Sequence, residues 1–169
     1  MTHPANRTLV LALGNDLLCD DAVAFHAAKQ LHARSLPGID VMESGEAGFA
    51  LLELITGYTR VLIIDALHSL RYPAGTIVHF SDHDFVATGW TSPHYAGLSD
   101  LRRLAETMGL PYPEHIDIIA MEVKDPYTIA EKLTIPVRRA LPAYVDAIMR
   151  ALEETPVRRQ TSEILACPG

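Results

Sequence analysis

Arg60-Val61-Leu62-Ile63-Ile64-Asp65 is the stretch on which the fold turns. Four consecutive aliphatic residues, too few for a bilayer span, read as a strand buried on both faces. A carboxylate closes the run. Burying that charge is costly unless it is solvated, hydrogen-bonded or coordinated. Upstream, Thr8 to Leu13 is a second apolar run, broken by Gly14-Asn15, and Ile39 to Met42 is a third. Between these two runs lies a helical pattern with Val23, Ala24, Ala27, Ala28 and Leu31 on one face, stopped by Leu36-Pro37-Gly38. A second helical pattern carries Phe49, Leu51, Leu52 and Ile55, with Gly57 placed to cap it.

Downstream, Gly75 to Phe80 and Ile116 to Met121 read as the fourth and fifth strands. An irregular stretch from Ser81 to Ser92 and a helix around Leu98 to Met108 separate them. Thr134-Ile135-Pro136 reads as a cap with proline in the first turn of a closing helix. That helix carries Val137, Leu141, Val145 and Ile148 to about Leu152, and Pro142 inside it predicts a kink or irregular turn. Strands alternating with helices predict a layered α/β domain with a mainly parallel sheet. Residues 1–153 are expected to form this single domain, and 154–169, which lose periodicity, a mobile tail.

Composition narrows the function classes. The chain has 169 residues, 49% hydrophobic and 21% charged, which suits one globular domain. A net charge of -7, with no basic stretch, argues against nucleic acid as partner. No apolar run is long enough to cross a membrane, and Met1 to Arg7 lacks the regions of a signal peptide. Cys19 and Cys167 match no disulfide or zinc pattern. The expectation is a soluble cytoplasmic protein.

Ligands of open α/β sheets bind beyond the carboxyl ends of the strands, which selects Gly14 to Asp21, Asp65 to Leu70 and the segment after Phe80. Asp20-Asp21 stands where a helix should begin, so either residue reads equally as a cap or as a carboxylate facing a ligand. Asp65 reads as a loop cap or as a site residue. His94, in Ser92-Pro93-His94, reads as an exposed or structural histidine or as a ligand, with seven other histidines competing. Two aspartates and a histidine would make an oxygen/nitrogen site suited to a borderline divalent ion such as nickel or zinc.

The order of several blocks sharpens this reading. Leu11-Ala12-Leu13-Gly14-Asn15-Asp16-Leu17-Leu18-Cys19-Asp20-Asp21, then Gly45-Glu46-Ala47-Gly48, then Val61-Leu62-Ile63-Ile64-Asp65-Ala66, then Ser92-Pro93-His94-Tyr95-Ala96-Gly97-Leu98 resemble the hydrogenase maturation peptidases, from about Leu9 to Leu152. The resemblance implies a three-layer sandwich, with a twisted, mainly parallel five-stranded sheet between helices. It also implies a metal-binding and catalytic trio of Asp21, Asp65 and His94. The implied activity is an endopeptidase that removes the C-terminal tail of a nickel-loaded nickel-iron hydrogenase large-subunit precursor. The nickel would come with the precursor, zinc or another divalent ion being an option in isolated protein, and the enzyme would be a monomer. Ala12, Ala22 and Ala24 stand where the family often has glycine, and Glu46 where many members have threonine.

Other readings remain at this level. Asp20 is a candidate auxiliary base. Cys19, near a helix start, would be a nucleophile with His94 as its base. A strand, glycine turn and helix also occur in nucleotide-binding modules, although neither a G-x-G-x-x-G nor a P-loop lysine motif is present. Asp82-His83-Asp84, Glu122, Asp125, Trp90, Tyr95 and the pairs Arg102-Arg103 and Arg138-Arg139 are further polar or aromatic candidates, each with an ordinary surface role as its alternative.

Overall fold

The computed structural model describes residues 7–81, 98–154 and 163–166. Strands β1 (Thr8–Leu13), β2 (Ile39–Ser44), β3 (Arg60–Leu67), β4 (Ile77–Ser81), β5 (His115–Glu122) and β6 (Glu163–Ala166) form one sheet in the order β2-β1-β3-β5-β4-β6. The β1/β2, β1/β3 and β3/β5 pairs are parallel, and β4 runs antiparallel to both β5 and β6. In the central register Val10 lies between Val41 and Leu62, and Ile63 faces Ile118.

Helices α1 (Val23–His32), α2 (Ala50–Ile55), α3 (Leu98–Met108) and α4 (Ile135–Glu153) cover the sheet. Because side chains alternate across a strand, β1 and β3 supply two cores at once. Val10, Ala12, Leu62 and Ile64 pack with α1 and α4 on one face. Leu9, Leu11, Val61 and Ile63 pack with α2 and α3 on the other. This is the expected three-layer, mainly parallel α/β arrangement. All eight residues of β3 are buried. Each fully buried aliphatic side chain contributes roughly 1.5–3 kcal/mol, so the central strands are the rigid base on which the edge loops stand.

Three details depart from the sequence reading. Glu163–Ala166 forms a sixth strand beyond residue 154, where no element was expected. Four residues are too few to show a period, and the rest of the expected tail lies outside the described residues. Helix α4 runs unbroken through the exposed Pro142 from Ile135 to Glu153. Its buried stripe includes Ala140 and Tyr144, whereas Leu141 is only partly buried.

Candidate functional site

From β1 the chain passes through α1 to β2 on one side, then through α2 to β3 on the other side of β1. The two crossovers lie on opposite faces of the sheet, so β1 and β3 border a topological switch point, where such folds open a crevice. Asp21 follows β1, and Asp65 lies near the end of β3. They therefore stand on the two sides of that crevice, and the 3-10 turn Asp20–Ala22 packs against β3.

Gly14 sets the position of Asp21. Its φ is +152°, and a Cβ there would collide with the Asp21 carbonyl oxygen. The same Cβ would lie 3.9 Å from Asp21 Oδ2. Only glycine lets the 3-10 turn fold back on to the end of β1. Neither aspartate caps α1, whose N-cap is Ala22 with no side-chain bond.

The two neighbouring acids have different surroundings. Asp21 is half-buried, whereas Asp20 has no exposed surface. Asp20 Oδ1 accepts the Thr134 N–H at 2.7 Å, and Oδ2 accepts Thr134 Oγ1–H at 2.8 Å. Oδ2 also accepts the N–H groups of Asp125 at 2.9 Å and Lys124 at 3.1 Å. The carboxylate thus ties the β5–α4 loop to the β1 exit and holds the N-cap residue of α4. Fully buried and occupied by these four donors, the carboxylate faces the loop and not a substrate, so the reading of Asp20 as auxiliary base is corrected to a structural tie.

Asp65 is also fully buried, and its Oδ1 accepts the Ala66 N–H at 2.8 Å. In the alternation of β3 it shares the face of Ile63 and Leu67, which α2 and α3 cover. Its backbone is clamped by Tyr144. The Asp65 N–H donates to the Tyr144 hydroxyl at 3.0 Å, and that hydroxyl faces the carbonyl oxygens of Asp65 at 3.0 Å and Ile119 at 2.9 Å. Complete burial, then the nearby Asp65 charge, pushes the phenol's pKa well above its usual value. It therefore remains a protonated donor.

His94 lies outside the described residues, as do Asp82-His83-Asp84, Trp90 and Tyr95. Among the described residues no three His, Cys, Asp or Glu side chains gather as a metal site. The structure thus packs the turn that carries Asp21 against β3, which carries Asp65, and is silent on the histidine.

Several other candidates have structural roles. Cys19 is buried, and its thiol donates to the Lys132 carbonyl at 3.1 Å. Burial first, then the charges of Asp20 and Asp125, raises its pKa, which disfavours the thiolate a nucleophile needs. The Cys19 nucleophile reading is corrected on that ground. Glu122 is buried at the end of β5, where Oε1 accepts the N–H groups of Ser69 at 2.8 Å and Leu70 at 2.9 Å, and Oε2 accepts the Ser69 hydroxyl at 2.6 Å. Asp125 closes its own turn on Tyr127 and Thr128, and the Thr128 hydrogen bonds lower its pKa. The Arg102 guanidinium lies 4.6 Å from the centroid of the Tyr112 ring, a surface stacking contact. Arg138 and Arg139 are exposed on α4. A cavity of about 660 Å³, lined by residues such as Leu36, Ile39, Val41 and Tyr58, contains none of the candidate residues.

Tyr144 is the contributor that the sequence reading passed over. It stands seven residues after Val137 and beside Val145, so helical spacing alone puts it on the buried stripe.

Known proteins align with this architecture. Residues 25–151 match the hydrogenase maturation protease family. The chain is 29% identical over 157 residues to the hydrogenase 2 maturation protease of Escherichia coli K12, covering 89% of this chain and 93% of that protein. It is also 29% identical over 154 residues to the hydrogenase expression/formation protein HupD of Rhizobium leguminosarum bv. viciae, covering 88% of this chain and 75% of that one. The structure of the hydrogenase maturating endopeptidase HybD from E. coli superposes with a TM-score of 0.74 at 26% identity, over 87% of this chain and 92% of that chain. A fold with two acids at its switch point, matched over most of its length in sequence and in structure, carries one conclusion: the chain belongs to the hydrogenase maturation protease family, and it is a peptidase.

Proposed function

We propose that this protein removes the C-terminal tail from the nickel-loaded large-subunit precursor of a nickel-iron hydrogenase, reading the nickel through Asp21, Asp65 and His94. The observation that carries the proposal is the pair of acids at the switch point, Asp21 partly buried after β1 and Asp65 buried two residues before the end of β3. Oxygen donors with a histidine suit a borderline divalent ion. The nickel is part of the substrate, and zinc or another divalent ion would take the same donors in isolated protein. Bound near the scissile peptide, the ion would polarise the carbonyl or activate water, either of which lowers the barrier by several kcal/mol. Gly14 fixes the backbone of Asp21 and Tyr144 that of Asp65, which would hold both carboxylates in place for the ion. The enzyme would act in the cytoplasm as a monomer.

The test incubates the protein with nickel-loaded and nickel-free large-subunit precursor and reads loss of a C-terminal peptide by intact-mass spectrometry. Cleavage of the nickel-loaded form alone is expected. Cleavage of both forms would remove the nickel checkpoint and keep the peptidase. Failure on every large subunit from the same genome would remove the proposed substrate.

A further inference from the structure

Large hydrophobic side chains are exposed mostly along one edge of this molecule. Of the eight such residues among those described, Leu17, Phe49, Leu70, Tyr127, Ile129 and Ile135 follow the carboxyl ends of β1, β2, β3 and β5. Met108 and Leu110, at the far end of α3, are the other two. An apolar rim on the edge that holds the candidate site is the usual mark of an interaction surface.

Two buried carboxylates hold the loops that make this rim. Glu122 fixes Ser69 and Leu70, and Leu70 has a φ of +60° with 81% of its surface exposed. A left-handed backbone is unfavourable for a leucine, and an exposed side chain recovers none of that by burial. Asp20 fixes the start of the segment carrying Tyr127 and Ile129, which are 73% and 82% exposed. The edge of the Tyr127 ring meets His68 at 5.4 Å between centroids, and its hydroxyl lies 3.2 Å from His68 Nδ1. Ile129 is joined to the Leu17 segment by a bridge to Leu18 and by the Ala130 N–H donating to the Leu17 carbonyl at 3.2 Å. Strained or tethered backbone that displays apolar side chains to water implies a partner that covers them.

We infer that Leu17, Leu70, Tyr127 and Ile129 dock the folded body of the hydrogenase large-subunit precursor beside the point of cleavage. The inference rests on the proposed function. Leu17 stands four residues before Asp21 and Leu70 five after Asp65, so a body that delivers a peptide bond to those acids lies against both. The body fits better than the tail because the four side chains come from three separate segments fixed in advance. Such a surface reads a preformed shape, whereas an extended tail adds to a strand edge through backbone pairing.

Steady-state processing of the nickel-loaded precursor tests this, with a synthetic peptide spanning the cleavage point binding in competition. Two variants are compared with wild type: Tyr127→Ser/Ile129→Ser, and Leu70→Asn, which tolerates positive φ while removing the apolar side chain. Met108→Ser/Leu110→Ser is the control. The expected result is a KM for precursor raised about tenfold in both rim variants, with kcat within about threefold, and an unchanged control. Peptide binding stays at the wild-type level, and Leu70→Asn melts no lower than wild type. That last outcome separates lost docking from lost folding. Unchanged KM with an active wild type overturns the inference. So does equal weakening of peptide and precursor, which would assign the rim to the tail. A wild-type dimer that both rim variants convert to monomer in sedimentation, with KM unmoved, assigns the rim to a second copy. If wild type processes no precursor at all, the proposed function fails first and the docking surface with it.

Discussion

The two ends of the parallel strands both hold buried charge, and they use it differently. At the amino end, Arg60 opens β3 and turns inward. Its guanidinium donates to the carbonyl oxygens of Ala151 at 2.6 Å, Glu154 at 3.1 Å and Leu152 at 3.4 Å, closing the C-terminus of α4. Asp117 lies 3.6 Å from this guanidinium and 3.6 Å from the buried His79 imidazole. The cation thus meets the negative end of the helix and an acid, all within the fold. At the carboxyl end, Asp20 and Glu122 are satisfied by loop N–H groups, Asp65 stands at the crevice and Asp21 is half-exposed. One edge consumes its charges in closing the fold. The other uses buried acids to position the loops around the proposed site.

The comparison predicts that function and stability are separable by edge. The largest effect belongs to Asp21→Asn, which should reduce precursor processing at least a thousandfold, about 4 kcal/mol in the barrier. Its melting temperature should stay within about 2 °C of wild type, because the substitution is nearly isosteric at a partly buried position. Processing at the wild-type rate would remove Asp21 from the site. A collapsed melting temperature would show that the acid supports the fold instead.

Next in size is the opposite edge. Arg60→Met leaves Asp117 and three helix-end carbonyls without their cation, and breaking such a buried contact costs about 3 kcal/mol. Urea unfolding should report that loss, while kcat of the folded fraction stays within about twofold. A fall in kcat at unchanged stability would mean that the two edges communicate.

The parallel core was legible because it repeats one signal: short aliphatic runs, each ended by glycine or acid, alternating with helical stripes. The placement of Asp21 and Asp65 at the carboxyl edge was legible for the same reason, since each follows or closes one of those runs. What was hidden depends on pairing across long separations. Nothing near Asp20 announces Thr134, 114 residues later, and nothing near Glu122 announces Ser69. A carboxylate tied to distant N–H groups and one facing a crevice have the same local sequence. Tyr144 was concealed by its polar atom, although its helical spacing matched the buried stripe.

Two smaller effects sharpen the contrast at the carboxyl edge. Tyr144→Phe keeps the buried ring and removes the hydroxyl that clamps Asp65, for a loss of about 1–2 kcal/mol in chemical unfolding. If the clamp also aims Asp65, kcat falls severalfold at constant KM; an unchanged kcat would limit the phenol to packing. Cys19→Ser should process precursor within about twofold of wild type, since the thiol is a protonated donor to Lys132. Alkylation at pH 8 should be correspondingly slow in the native state and fast in denaturant. Rapid native-state alkylation accompanied by inactivation would return Cys19 to the list of reactive groups.

The smallest effect concerns pH and also belongs to the carboxyl side, where His26 lies on α1 shortly after the Asp20–Ala22 turn. Burial, then the neighbouring Lys29 charge, lowers its pKa below the usual 6.5, with Glu43 opposing. The folded state therefore favours neutral imidazole more than the unfolded chain does. This contribution is complete above pH 6.5 and is lost as pH falls through 6.5 toward the lower folded-state value, because the unfolded chain takes up the proton first. His26→Gln cannot take up that proton. Its melting temperature should decline less than that of wild type between pH 7.5 and 5.5, with the two curves converging on the acid side. Parallel curves would mean that His26 is as free to charge in the fold as in solution.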